Sequence, residues 1–247
     1  MILLGLLAAT LSIAWTFLIC ILSAIIMPFF PYSRAATRLL QIWCRGLLTL
    51  VGARLEVRGL ERIGPGGHFL LISNHQSLFD IPALIAAYPG PFRMVAKKEL
   101  FRIPIFGWCM TAARFIPIDR KNRHRAAESL RKAAERIRSG VSVLLFPEGT
   151  RSPDGSLLPY KRGPFALALE SGVPILPVVV SGTIQILHRR SFLHFGFGKK
   201  VVVVFGAPIP VAGRTADDRG RLMGEVESST HSLFEEVRAF SMLEESP

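Results

Sequence analysis

Cysteine is scarce. Only Cys20, Cys44 and Cys109 occur in 247 residues, two of them in apolar amino-terminal sequence, so no disulfide framework and no metal-ligand spacing is present. That agrees with a reducing compartment. Acidic residues are also short: 18 Asp and Glu stand against 30 Lys and Arg, and the excess of +12 points toward anionic partners. Nucleic acid fits poorly among these, because the basic stretches are not interleaved with aromatic residues and no nucleic-acid-binding motif is present. A Gly-x-Ser-x-Gly elbow is missing, which removes the usual signature of a nucleophilic hydrolase. Internal repeats, low-complexity tracts and long linkers are missing too, so residues 53–247 read as one domain.

The remaining absence is of charge. From Met1 to Ser33 there is no charged side chain, and the apolar run up to Met27 is long enough to cross a bilayer core of about 30 Å at about 1.5 Å per residue. A cleaved signal peptide is the rival reading, but the basic n-region is missing and the run exceeds the roughly 7–15 residues of an h-region, so retention is expected. Beyond the break at Pro28-Phe29-Phe30-Pro31, Arg34, Arg38, Gln41 and Arg45 fall within a stripe about 60° wide on a helix. Leu39, Leu40, Ile42, Trp43, Leu47 and Leu50 surround it. That pattern predicts a helix in the membrane interface, its arginines toward head groups and the rest in acyl chains; a helix packed on the following domain has the same pattern. The arginines follow the apolar run, which places the rest of the chain on the cytoplasmic side.

From Ala53 onward, short apolar β-rich runs alternate with helical ones, which predicts an α/β domain with helices on the faces of a central sheet. Strands are expected at Leu55 to Val57, Phe69 to Ile72, Arg93 to Ala96, Phe115 to Ile118, Val141 to Phe146, Ile175 to Val180 and Val201 to Phe205. Helices are expected at Leu78 to Ala87, Ile105 to Ala112, His124 to Arg138, Phe165 to Ser171 and Ala216 to Phe240. The most basic stretch, from Arg120 to Arg138, reads either as a solvated helix face or as a contact for anionic lipid or carrier phosphates.

The segment Asn74-His75-Gln76-Ser77-Leu78-Phe79-Asp80 joins a strand to a helix. On one continuous helix His75 and Asp80 would diverge by about 140°. With His75 in the turn before the helix, the two can form a dyad: the carboxylate fixes one imidazole N–H and leaves the other nitrogen to take a proton from a hydroxyl. The same residues also fit a capping box, Ser77 as cap and Asp80 answering from its third position. Asp80 is able to serve both. Farther on, Val141 to Phe146 runs into Pro147-Glu148-Gly149-Thr150-Arg151, a buried strand delivering a polar turn at its carboxyl end, where open α/β sheets bind ligands. Gly149 permits φ > 0 and close backbone approach, Arg151 offers a planar fork suited to phosphate oxygens, and Glu148 can accept a hydroxyl or orient a basic group. Lys97 and Arg120 stand likewise at strand ends, and cations there form a phosphate pocket if those ends share one edge of the sheet.

These segments resemble the blocks of the glycerolipid acyltransferases with the His-x4-Asp motif, and within them the 1-acylglycerol-3-phosphate acyltransferases. Asn74 to Asp80 is similar to the first block, Phe115 to Arg120 to the second, Phe146 to Arg151 to the third and Val173 to Val178 to the fourth, in family order. The hydrophobic amino terminus, residues 1–52, resembles the family's two-helix membrane-embedding motif. The resemblance implies a mixed sheet, and transfer of an acyl group from acyl-CoA or acyl-carrier protein to the sn-2 hydroxyl of lysophosphatidic acid, giving phosphatidic acid, at the membrane and with no metal or other cofactor. It also implies His75 as general base and Asp80 as its orienting partner, with Lys97, Arg120 and Arg151 gripping the acceptor's phosphate. Glu148, Gly149 and Thr150 would shape the acceptor site. Related family members acylate other lysolipids, such as lyso-ornithine lipid. Two further readings stay open: a hydrolase using Ser73 or Ser77, and a non-catalytic module holding anionic membrane lipid.

Overall fold

The computed structural model describes residues 2–64, 67–119, 123–191 and 193–244. Helices α1 (Ile2–Ile26) and α2 (Arg34–Leu50) come first, then strand β1 (Arg54–Arg58), β2 (Leu70–Ser73), α3 (Asp80–Ala87), β3 (Phe92–Lys97) and α4 (Phe106–Ala112). Next follow β4 (Ile116–Ile118), α5 (Arg123–Arg138), β5 (Ser142–Leu145), α6 (Gly163–Ser171), β6 (Ile175–Ser181), the short α7 (Thr183–Ile186), β7 (Lys200–Phe205) and α8 (Arg219–Glu244). All seven expected strands are present, in a single sheet of order β1-β7-β6-β2-β5-β3-β4. The sheet is mixed: β6 pairs antiparallel with β7, while β6, β2, β5, β3 and β4 run parallel.

The inner strands are apolar along nearly their whole length because both faces are covered. On one face Leu71, Met94, Leu144, Leu176 and Val178 meet the layer of α1 to α4. On the other, Leu70, Ile72, Val95, Val143, Leu145 and Ile175 meet α5, α6 and α8. Strand alternation assigns neighbours to opposite layers, so a slip of one residue would exchange the two cores.

Helix α2 departs from the interfacial expectation. Its Ala36, Leu39, Leu40, Cys44 and Leu48 are buried against the domain, so Leu39 and Leu40 belong to the protein core and not to acyl chains. Gln41, one member of the polar stripe, donates from Nε2 to the Tyr88 carbonyl at 3.0 Å. Arg34, Arg38, Arg45 and Ile42 remain exposed. The sequence pattern could not choose between lipid and protein for the apolar face, because both are apolar solvents for it; packing against α3 decided it.

Helix α1 is different. It is long and apolar enough to cross a membrane, and most of its side chains, among them Leu3, Ile13, Phe17, Ile21 and Ile25, are exposed. Each large apolar side chain left in water forgoes about 1.5–3 kcal/mol of burial, so such a surface calls for lipid or a protein partner. Two reciprocal bonds hold α1 to α2: Trp15 Nε1 donates to the Trp43 carbonyl at 2.9 Å, and Trp43 Nε1 to Thr16 Oγ1 at 3.1 Å.

Candidate active site

Parallel pairing places the carboxyl ends of β6, β2, β5, β3 and β4 along one edge. The register Ile72↔Leu145 sets His75, three residues past Ile72, level with Glu148, three past Leu145. The His75 backbone N–H accordingly donates to Glu148 Oε1 at 3.1 Å, and the His75 carbonyl accepts the Ser152 N–H at 2.7 Å. Asn74 anchors the same turn from the other side, exchanging hydrogen bonds of 2.9 and 2.8 Å with the backbone of Val180 on β6.

His75 lies outside the helix, as the dyad requires, and its Nδ1–H donates to Asp80 Oδ2 at 2.7 Å. The ring stacks on Phe146, centroids 3.9 Å apart and planes 15° from parallel, which fixes its tilt. The residue as a whole keeps 8 % exposure. Asp80 is fully buried and acts as acceptor throughout: Oδ2 takes the Gln76 N–H at 2.7 Å and the Ser77 N–H at 2.9 Å, and Oδ1 takes the Thr183 hydroxyl. The capping box therefore forms by half. Asp80 answers the Ser77 N–H, but Asp80 is the first residue of α3, and Ser77 Oγ accepts from Phe79 N at 3.2 Å and donates to the Leu187 carbonyl at 2.7 Å. Asp80 does serve both purposes.

Glu148 is buried, and among the described residues its Oε2 has no hydrogen-bond partner of good geometry. Burial pushes its carboxyl up to about 8, opposed by the His75 N–H and aided by the negative charge of Asp80. Gly149 holds φ +70°, so the turn favours glycine; a Cβ there would come within 2.5 Å of Lys161 Nζ, the mobile end of a side chain that can swing aside. Thr150 is exposed just beyond. Arg151 is half-buried, its Nη1 buried without a partner among the described residues, and burial lowers its pKa while the charge of Asp80 raises it. Arg189 Nη1 donates to the Arg151 carbonyl at 2.8 Å.

Lys97 stands on the expected edge; it is exposed, 3.9 Å from Glu99, and β3 lies two strands from β2, about 10 Å at about 4.8 Å per strand. Arg151 feels the charge of Asp80. Arg120 lies outside the described residues. Thr183 and Lys161 have a part that the sequence did not announce, because each reaches the site through strand pairing or a return of the chain and not through a local motif; Phe146 belongs to the third block, but nothing in that block announces its stacking on His75.

Residues 54–181, slightly more than half of the chain, match the Acyltransferase family. The chain belongs to the acyltransferase family. It is 35 % identical over 201 residues to 1-acyl-sn-glycerol-3-phosphate acyltransferase alpha of Homo sapiens, covering 81 % of this chain and 70 % of that protein. Likeness to the 1-acyl-sn-glycerol-3-phosphate acyltransferase of Pseudomonas aeruginosa is 37 % over 162 residues, 64 % of this chain and 62 % of the relative. The crystal structure of the 1-acyl-sn-glycerophosphate acyltransferase of Thermotoga maritima superposes with a TM-score of 0.75 at 26 % identity, over 95 % of this chain and 98 % of the other. The acyltransferase thus has an acyl donor and a lysophospholipid-type acceptor as its substrates, and the mixed sheet inferred from sequence is the family's fold.

Proposed function

We propose that this acyltransferase moves a fatty acyl group from acyl-CoA or acyl-carrier protein to the sn-2 hydroxyl of 1-acylglycerol 3-phosphate, with His75 as general base and Asp80 as its positioning partner. The carrying observation is the 2.7 Å Nδ1–H to Oδ2 bond, which assigns the Nδ1 proton and leaves Nε2 as an acceptor for the substrate hydroxyl. As the hydroxyl oxygen attacks the thioester carbonyl, His75 takes its proton; as the tetrahedral species collapses, the C–S bond breaks and the imidazolium returns the proton to the departing thiolate. A thioester is already activated, so the step needs no covalent enzyme intermediate and no metal.

Arg151, which feels the charge of Asp80, is the first candidate for the acceptor's phosphate, with Lys97 and Arg120 as further candidates and Glu148, Gly149 and Thr150 forming the turn before Arg151. Exposed α1 brings the site to lipid, and the arginines after it favour the cytoplasmic face. The serine-hydrolase reading loses support: Ser77 Oγ is engaged with Leu187 and Phe79, and Ser73 Oγ donates to the Asn74 carbonyl at 3.1 Å, so neither contacts the imidazole.

Purified protein in mixed micelles, offered one acyl thioester and a panel of lysolipid acceptors, tests the proposal. Phosphatidic acid is the expected product. His75→Ala should lower kcat by about 10²–10⁴-fold, and Asp80→Asn by up to about 10⁴-fold. Preference for a non-phosphorylated lysolipid, or full activity of His75→Ala, defeats it. Arg151→Ala should raise KM for lysophosphatidic acid more than for the donor.

A further inference from the structure

A cavity of about 550 Å³ opens against Phe146, the ring stacked on His75, on the sheet face covered by α5 and α6. Its floor is apolar: Val95 of β3, Ile118 of β4, Leu145 of β5 and Leu130 of α5. One wall is the turn that carries the His75 contacts, since Phe146, which stacks on the imidazole, lines the cavity together with Pro147 and Gly149. Three cations complete the lining: Lys161 and Arg162, immediately before α6, and Arg219, the first residue of α8.

Among the described residues none of these three forms an ion pair, although cations elsewhere do, as in Arg214–Glu225 at 2.7 Å and Lys200–Glu56 at 2.7 Å. Uncompensated cations around a concavity focus positive potential into it and recruit an anion. Lys161 stands nearest the chemistry, its Nζ lying against Gly149 and its backbone N–H donating to the Pro147 carbonyl at 2.9 Å. The ligand that fits has an apolar-tolerant stem and a phosphorylated end.

Cationic groups thus flank the Phe146 to Arg151 turn on two sides. Arg151 and Arg189 lie toward Asp80 and the segment after α7, whereas Lys161, Arg162 and Arg219 lie toward β3, α5 and α6. Two phosphorylated substrates need two anion seats. Resting on the function proposed above, we infer that the cavity seats the phosphopantetheine arm of the acyl donor, and that Lys161, Arg162 and Arg219 hold its phosphate. The arm lies along the floor, its thioester end beside Phe146 and His75, and its phosphate at the cationic rim. The volume falls within the roughly 300–1,000 Å³ usual for ligand pockets.

Steady-state kinetics with both substrates varied reads this directly. Lys161→Ala, Arg162→Ala and Arg219→Ala should each raise the donor KM by about tenfold, the order of one charge-assisted hydrogen bond, with the acceptor KM and kcat at saturation little changed. An unchanged acceptor KM shows at once that the variant is folded, and Arg162→Lys should recover part of the loss. In parallel, 4′-phosphopantetheine should inhibit the wild-type enzyme competitively against the donor, and more strongly than pantetheine. The Lys161→Ala/Arg162→Ala/Arg219→Ala variant should lose that difference. A rise confined to the acceptor KM assigns the cavity to the glycerophosphate and overturns the inference, as do equal inhibition by the two pantetheines and unchanged kinetics. Calorimetric binding of 4′-phosphopantetheine remains readable if the wild-type protein acylates no phosphorylated lysolipid, so failure of the functional proposal and failure of the cavity assignment give different results.

Discussion

Asp80 accepts from four donors, and each has a separate consequence. The bonds from Gln76 and Ser77 shape the turn, that from His75 sets the tautomer, and that from Thr183 locks the far oxygen to the segment after β6. Removing the Thr183 hydroxyl leaves a buried carboxylate oxygen unpaired, at about 1.5–3 kcal/mol for a bond to a charged group. Thr183→Val should therefore reduce kcat by about tenfold or more without altering either KM, whereas Thr183→Ser should restore it. Glu148 makes a second prediction at this scale. Its carboxyl titrates at about 8 in the folded chain, against an ordinary 4.5, so the folded state holds the proton more tightly and loses stability as pH rises from about 4.5 to about 8. Glu148→Gln should flatten that decline, which thermal melts between pH 5 and pH 8.5 would register; an unchanged slope would mean that the carboxyl is ionised throughout.

Elements hold the site by their ends. The imidazole, the carboxyl of Glu148 and the hydroxyl of Thr183 sit just past the carboxyl ends of β2, β5 and β6, three neighbours in the sheet, so strand register alone sets their spacing. At the amino end of β3, Arg93 is fully buried and donates to the carbonyls of Phe92 and Pro31, with its guanidinium 5.2 Å from the Tyr32 ring. It ties the tip between α1 and α2 to the sheet. Burial lowers its pKa to about 10, which still leaves it charged at neutral pH. Arg93→Ala leaves both carbonyls unpaired and should destabilise the protein by about 2–4 kcal/mol, seen as a lowered Tm in detergent and as new protease cleavage between Met27 and Arg34.

At the scale of the whole molecule, the exposed apolar side chains of α1 and the outward arginines of α2 belong to one surface. Phe29 and Phe30, at the tip, are 76 % and 67 % exposed. Anionic lipid contributes about 1 kcal/mol per arginine near the surface. Replacing Arg34, Arg38 and Arg45 with Gln should weaken binding to anionic vesicles by about 100-fold and reduce its salt dependence. Neutral vesicles should be bound equally by both proteins through α1. Equal binding to anionic vesicles would place those arginines away from the head groups.

The sequence by itself determined the seven strands, the single α/β domain and the two motif turns, because alternating apolar runs and the glycine-bearing and histidine-bearing turns report local physics. It allowed the pairing of His75 with Asp80, because a strand-to-helix turn puts His75 outside the helix, but left the capping box open beside it. Tertiary structure alone decided which face of α2 meets protein, that Thr183 reaches Asp80 from a segment distant in sequence, and that the Phe146 ring stacks on His75. Those outcomes depend on strand order and layer packing, which bring together residues whose separation along the chain carries no periodic signal. A lysine at position 161 reads as a surface charge until α6 and the turn after β5 enclose a cavity beneath it.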